Sequence, residues 1–151
     1  MSTMQPERIG PYRIIRLLGQ GGMGAVYEGM NDAIERRVAI KVLHSHLASR
    51  KEIATRFINE ARATNRIEHP GLVQISDYGQ LEDGTAYIVM EYLRGETVTA
   101  RVKSRGGRIP VVEAIGLLRQ VASALAAAHD KEIVHRGAFP LSPVALASFP
   151  C

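Results

Sequence analysis

The sequence of 151 residues contains no tryptophan, one cysteine and only 5% aromatic residues. Because a single cysteine cannot form an internal disulfide, a disulfide-stapled scaffold is excluded, and a reducing compartment is favoured. Aromatic residues are also missing from the densest basic stretch, so it lacks a platform on which nucleic-acid bases could stack. We therefore expect a solvated loop there and no nucleic-acid partner. The basic residues are Arg101, Lys103, Arg105 and Arg108.

Unbroken apolar runs are lacking as well. The N-terminal segment carries Pro6, Glu7 and Pro11 where a secretory signal needs a continuous apolar core. No later run reaches the roughly 18 consecutive apolar residues of a membrane span. The sequence therefore predicts a cytoplasmic protein with no membrane partner.

Five short strands and two helices are predicted from the apolar patterns and turn residues. The first helix opens at Ser49 to Glu52, a capping-box pattern, and closes before His69. The second follows Pro110 and extends to about residue 129, with apolar residues at helical spacing from Leu117 to Leu125. The predicted strands lie at 12–18, 25–29, 36–43, 72–78 and 85–92.

The composition changes after residue 136. All 34 Lys, Arg, Asp and Glu residues precede this point, and the segment 137–151 contains none. Three prolines in that segment argue against a regular helix or a central strand. The break suggests foreign or altered sequence and predicts an irregular tail.

The glycines Gly19, Gly21 and Gly24 form a GxGxxG pattern, which two kinds of nucleotide site share. In a Rossmann site the last glycine opens a helix, whereas in a kinase it leads into a strand. Here Gly24 is followed by Ala-Val-Tyr-Glu, which favours a strand–loop–strand arrangement.

Lys41 and Glu60 are the two candidate catalytic residues outside this loop. Lys41 ends the strand pattern Val-Ala-Ile-Lys, and by itself it is typical of a solvated strand lysine. Glu60 falls on the predicted apolar stripe of the first helix, where an unpaired charge is costly. Glu60 is therefore protonated, points out at the helix edge, or pairs with a cation, for which Lys41 is the natural candidate. His44 and His46 are interpreted as surface residues because no metal-ligand cluster accompanies them.

The order GQGGMGAV, VAIK, a helix with an inward glutamate and then YIVMEYL resembles a serine/threonine protein kinase of the eukaryotic type, in the style common in bacteria. The resemblance covers roughly residues 10 to 136. It implies an α+β fold, with a five-stranded antiparallel sheet and one helix, followed by one or two helices of an incomplete second lobe. The implied parts are a tail at 1–10, a kinase N-lobe at 11–93, the start of the C-lobe at 94–136 and the irregular segment 137–151.

The resemblance also implies roles for individual residues. The glycines would cover the ATP phosphates, and Lys41, paired with Glu60, would hold the α- and β-phosphates. Met90 matches the gatekeeper, with the backbone of Glu91 and Leu93 reading the adenine edge. The nucleotide-binding residues implied are Leu18, Gly19, Gly21, Gly22, Gly24, Val26, Ala39, Lys41, Met90, Glu91 and Leu93.

The family pattern breaks after Val134-His135-Arg136. In the family an Asp and then an Asn follow, and these positions hold Gly137 and Ser142. The sequence therefore predicts no general base, no ligands for the Mg²⁺ that the family uses, no metal site and no measurable protein phosphorylation. Weak ATP binding is expected because, with an incomplete second lobe, the adenine site would lack its lower wall.

Three interpretations of the chain remain open at this stage. It is a truncated or frameshifted kinase product, a pseudokinase-like module without enzymatic activity, or half of a kinase completed in trans. The exposed face of the helix at 111–129 is the expected docking surface for a protein partner.

Overall fold

The computed structural model describes residues 6–133, which form two compact units. The first unit comprises the residues up to 65 together with 73–92, and the second comprises 66–72 and the residues from 93 onward. The predicted tail at 137–151, with Gly137 and Ser142, lies outside the described residues. The elements in chain order are β1 (Arg8–Ile9), β2 (Tyr12–Gln20), β3 (Gly24–Asn31), β4 (Arg36–Leu43), α1 (Ser45–Ala48), α2 (Lys51–Thr64), β5 (Ile75–Gln80), β6 (Ala86–Glu91), α3 (Val98–Ser104) and α4 (Val111–His129).

The first unit is built on one antiparallel sheet with the strand order β1-β2-β3-β4-β6-β5. The predicted α+β class is confirmed, but the sheet has six strands and not five. The additional strand β1 pairs Ile9 with Tyr12 across a turn at Gly10, whose φ of 55° suits glycine. Two residues are too few for an alternating pattern to be recognised in a sequence.

The predicted strand at 36–43 coincides with β4, whereas the strand predicted at 72–78 begins later, at Ile75. Asn65 explains the later start. Its side-chain amide donates to the Ile75 carbonyl over 2.6 Å, and its side-chain oxygen accepts from the Ile75 N–H over 2.9 Å. This pair of hydrogen bonds attaches the end of α2 to the start of β5.

Each face of the sheet has its own apolar cluster because side chains alternate along a strand. One face buries Val38 and Ile40 of β4 with Val89 of β6. The other face packs against α2 through Leu43 and Ile88. Lys41 and Ala39 occupy this second face, since they alternate with Val38 and Ile40.

Helix α2 begins without the predicted capping box. Arg50 is the N-cap residue, and it makes no side-chain capping bond. The Ser49 hydroxyl donates instead to the carbonyl of His46 over 3.4 Å, because Ser49 directly follows the short helix α1. The predicted helix at 49–67 is accordingly shortened to Lys51–Thr64.

The second unit contains helix α3, which the sequence analysis had interpreted as a solvated loop. The Thr97 hydroxyl accepts a hydrogen bond from Ala100 N over 3.1 Å and caps this helix. Arg101 and Arg105 both bond to the carboxylate of Glu113 on α4. The basic residues of this segment therefore stabilise a helix pair within the unit.

Helix α4 has the predicted bounds, but its exposed apolar face differs from the predicted one. Leu117 and Leu125 are half-buried, while Val111, Ile115 and Leu118 are 73%, 52% and 66% exposed. The segment at 66–72 packs on the other side of α4. By length and composition α4 could cross a membrane, although a helix of a soluble protein can meet the same criteria.

Candidate functional site

Four of the predicted nucleotide-binding residues share one face of the sheet. The strand register pairs Val26 with Lys41 and pairs Ala39 with Met90. Directly opposite residues of antiparallel strands point to the same face, and Ala39 and Lys41 are two residues apart on β4. The sheet therefore brings one lysine and three apolar side chains together on the face that also packs against α2.

The glycine-rich segment connects β2 to β3, and β3 starts at Gly24 itself. The predicted strand–loop–strand arrangement is thus confirmed, and the Rossmann alternative is excluded. Gly24 is needed for space, since a Cβ on it would lie 2.1 Å from the Val42 carbonyl oxygen. A Cβ on Gly19 or Gly22 would meet nothing within 4 Å, so these two positions are open.

The predicted ion pair between Lys41 and Glu60 is not formed. No nitrogen–oxygen contact within 4.0 Å joins these residues in the described part of the chain. The Lys41 ammonium lies instead 5.6 Å from the centre of the Phe57 ring, one turn before Glu60 on α2. Lys41 is half-buried and faces helix α2, which also carries Glu60. The contact that its ammonium makes there is a cation–π contact with Phe57.

The helical geometry explains why Glu60 is exposed. At about 100° per residue, Glu60 lies about 90° from the centre of the α2 stripe that packs on the sheet. The sequence allowed Glu60 to be protonated, to point out at the helix edge or to pair with a cation. The structure shows the second of these, since Glu60 is exposed at the edge of α2. The stripe consists of Ile53, Ala54, Phe57, Ile58 and Ala61.

Met90 and Glu91 lie at the end of β6. The Glu91 N–H donates to the Gln74 carbonyl over 3.0 Å, and its carboxylate accepts from the Gln74 N–H over 2.8 Å. This pairing fixes the backbone at Glu91. Leu93 belongs to the second unit, and Leu18 is 40% exposed at an irregularity of β2.

A buried carboxylate was missed by the sequence analysis. Glu28 is 3% exposed on the same face as Val26, and it contacts Arg16 at 2.7 Å and Arg37 at 3.3 Å. Both arginines also contact Tyr92, by a hydrogen bond and by a cation–π contact. Hydrogen bonds to Glu28 and Tyr92 raise the pKa of Arg16. Glu28 is the one charged residue in the β3 sequence, but its position there gave no indication that it is buried.

His44 was predicted to be a surface residue, and this prediction is wrong. It is half-buried, its Nε2 lies 2.7 Å from the Gly21 carbonyl oxygen, and its N–H donates to the Met23 carbonyl over 3.0 Å. Gly21 N in turn donates to the Gly24 carbonyl over 2.9 Å. The glycine loop is thus attached to the residue that directly follows β4.

No metal centre is formed by the described residues. Within residues 6–133, no three His, Cys, Asp or Glu side chains come together in a group that could hold a metal ion. The same sheet carries the Lys41 ammonium, three apolar side chains and the glycine-rich loop.

The fold and this arrangement define the small lobe of a protein kinase. Residues 12–137 match the family described as "Protein kinase domain". Serine/threonine-protein kinase PknA of Mycobacterium tuberculosis is 42% identical over 135 residues, which is 87% of this chain and 31% of PknA. Serine/threonine-protein kinase PrkC of Bacillus subtilis is 40% identical over 131 residues, which is 87% of this chain and 20% of PrkC.

Solved structures agree with these relatives. The kinase domain of PknI from M. tuberculosis has a TM-score of 0.71 and 30% identity, over 89% of this chain and 52% of that domain. This chain belongs to the protein kinase family, and its relatives are of the serine/threonine type. It spans less than a third of the length of the two curated relatives that it matches here.

Proposed function

We propose that this chain binds ATP weakly through its small lobe and does not by itself transfer phosphate to protein. The observation that carries the proposal is the common face of Val26, Ala39, Lys41 and Met90 next to the glycine loop. The apolar members offer a surface for a planar base, and the ammonium offers a charge for a phosphate.

Lys41 is the residue expected to hold the α- and β-phosphates. In this structure its ammonium has a Phe57 ring as its neighbour and no carboxylate partner within 4.0 Å among the described residues. A cation that no carboxylate neutralises remains available for an anionic ligand. Because no carboxylate among residues 6–133 holds the ammonium in position for a phosphate, part of the binding free energy is spent on ordering it, and this supports the expectation of weak binding.

The absence of transfer activity follows from the residues after Arg136. Gly137 stands where the family carries the Asp that accepts the proton of the substrate hydroxyl, and glycine has no side chain. Ser142 stands where the family carries a metal-binding Asn. Losing the general base alone lowers a rate by about 10²- to 10⁴-fold. In the family Mg²⁺ neutralises the phosphate charge, and Ser142 replaces the Asn that helps to hold it.

Calorimetric titration of the full chain with ATP tests the binding proposal. Lys41→Met is expected to weaken ATP binding about 10- to 100-fold, the loss of a charge-assisted hydrogen bond worth about 1.5–3 kcal/mol. Lys51→Met is the matched control because Lys51 is exposed on the first turn of α2. No ATP binding by the unaltered chain, or equal losses in both variants, would refute the proposal. Phosphate transfer to serine or threonine peptides would refute the claim of inactivity.

A second candidate function is docking to a protein partner, either as a module without activity or as half of a kinase completed in trans. The exposed stripe of Val111, Ile115 and Leu118 on α4 favours it, because such a surface is unfavourable in water. Leu118→Ser should then weaken association with a separately produced kinase second lobe. Gln120→Ser is the matched control, since Gln120 is exposed on the same helix but lies outside the apolar stripe. Unchanged association in Leu118→Ser would exclude this surface.

A further inference from the structure

His44 fixes two peptide groups at the tip of the glycine loop. Its ring nitrogen Nε2 lies 2.7 Å from the Gly21 carbonyl oxygen. Because a carbonyl oxygen only accepts, Nε2 carries the hydrogen and donates it. The backbone N–H of the same residue donates to the Met23 carbonyl over 3.0 Å. One residue therefore holds the carbonyls on both sides of Gly22.

The orientation of these carbonyls decides where two N–H groups point. The described peptide bonds contain no cis bond, and in a trans peptide the N–H points opposite to the carbonyl of the same unit. With the Gly21 and Met23 carbonyls directed toward His44, the N–H groups of Gly22 and Gly24 are directed away from it. Residue 44 thus aligns two backbone donors at a position where a side chain on Gly22 would meet only open space.

We propose that His44 is a positioning residue for the phosphates of a bound nucleotide, and that it acts by presetting the Gly22 and Gly24 N–H groups. Aligned main-chain N–H groups in a glycine-rich loop form an anion-binding concavity. Because His44 directly follows the strand of Lys41, it places this concavity and the lysine on one rigid element. The inference rests on the proposed ATP site.

Comparing ATP with adenosine separates positioning of phosphates from general support of the fold. His44→Phe keeps an aromatic ring but removes the donor to Gly21. It should weaken ATP binding about three- to tenfold, the loss of roughly one hydrogen bond, and leave adenosine binding unchanged. His44→Gln retains a side-chain N–H donor and should recover most of the ATP affinity. The matched control is His46→Phe, since the exposed His46 ring stacks on His44 at 5.5 Å, whereas the hydrogen bonds to the Gly21 and Met23 carbonyls come from His44.

Amide hydrogen exchange in residues 19–24 provides a second measurement on the same proteins without nucleotide. Faster exchange in residues 19–24 of His44→Phe, with exchange in β4 unchanged, would support the assignment. Equal losses of ATP and adenosine affinity, or unchanged ATP affinity in His44→Phe, would overturn it while leaving the proposed ATP site intact. Failure of the unaltered chain to bind either ATP or adenosine would overturn both.

Discussion

The buried carboxylate of Glu28 gives an asymmetric prediction for stability. The Glu28 side chain is 4% exposed, whereas the side chains of its partners Arg16 and Arg37 are 59% and 47% exposed. Removing the carboxylate leaves two arginines that water already solvates. Removing the arginines leaves a negative charge buried without a partner.

The magnitudes follow from this difference. Glu28→Gln keeps the shape and an acceptor for Arg16, so its cost should be about 0–1 kcal/mol in the free energy of unfolding, as for an exposed pair. Arg16→Met with Arg37→Met keeps the aliphatic stems but removes both cations. It should cost about 3–5 kcal/mol because it isolates a buried charge. Adding Glu28→Gln to that double variant should restore most of the loss.

Urea unfolding of the full chain at pH 7, followed by circular dichroism, measures these free energies. The comparison of the double and the triple variant decides the matter, since both lack the same arginine contacts. A triple variant no more stable than the double variant would show that stem packing, and not the charge of Glu28, stabilises this part of the sheet. A cost for Glu28→Gln equal to that of the double variant would also contradict the asymmetry.

Two further predictions concern the glycine loop and the second unit. Gly24→Ala places a Cβ 2.1 Å from the Val42 carbonyl oxygen and should lower stability by about 1–3 kcal/mol, whereas Gly22→Ala at an open position should leave it nearly unchanged in the same assay. Burial tends to raise the pKa of Glu113, but bonds and charges from Arg101 and Arg105 outweigh this and lower it below its ordinary value of 4.5. The resulting stabilisation is present above pH 4.5 and is lost as the pH falls further. The protection factors of the α3 amides, which correct for the intrinsic slowing of exchange in acid, should therefore fall on acidification. An equal fall in Glu113→Gln would contradict this origin.

Local patterns in the sequence predicted much of this protein correctly. The β-branched run at 36–43 gave strand β4 with its observed bounds, and Pro110 marked the start of α4. The motif order also identified the kinase family. These features depend on the backbone preferences of individual residues and on the alternation of apolar and polar residues, and both can be recognised within a short stretch of sequence.

Side-chain partners were predicted less well because they depend on contacts between distant segments. Glu60 lies at the edge of a helix whose buried stripe is rotated from the predicted one, and the rotation is set by packing against the sheet. Glu28 is buried only because β2 and β4 each bring an arginine to it. His44 was predicted to lie on the surface because its contact with Gly21, 23 residues earlier in the chain, forms only in the folded sheet.

The sequence by itself determined which strands and helices form and to which family they belong, since hydrophobic periodicity, prolines and glycine spacing are local properties. The tertiary structure decided which charges meet and which groups hold the glycine loop. Strand register and the rotation of α2 fix those contacts, and both are set by how the whole sheet packs, which no short segment encodes.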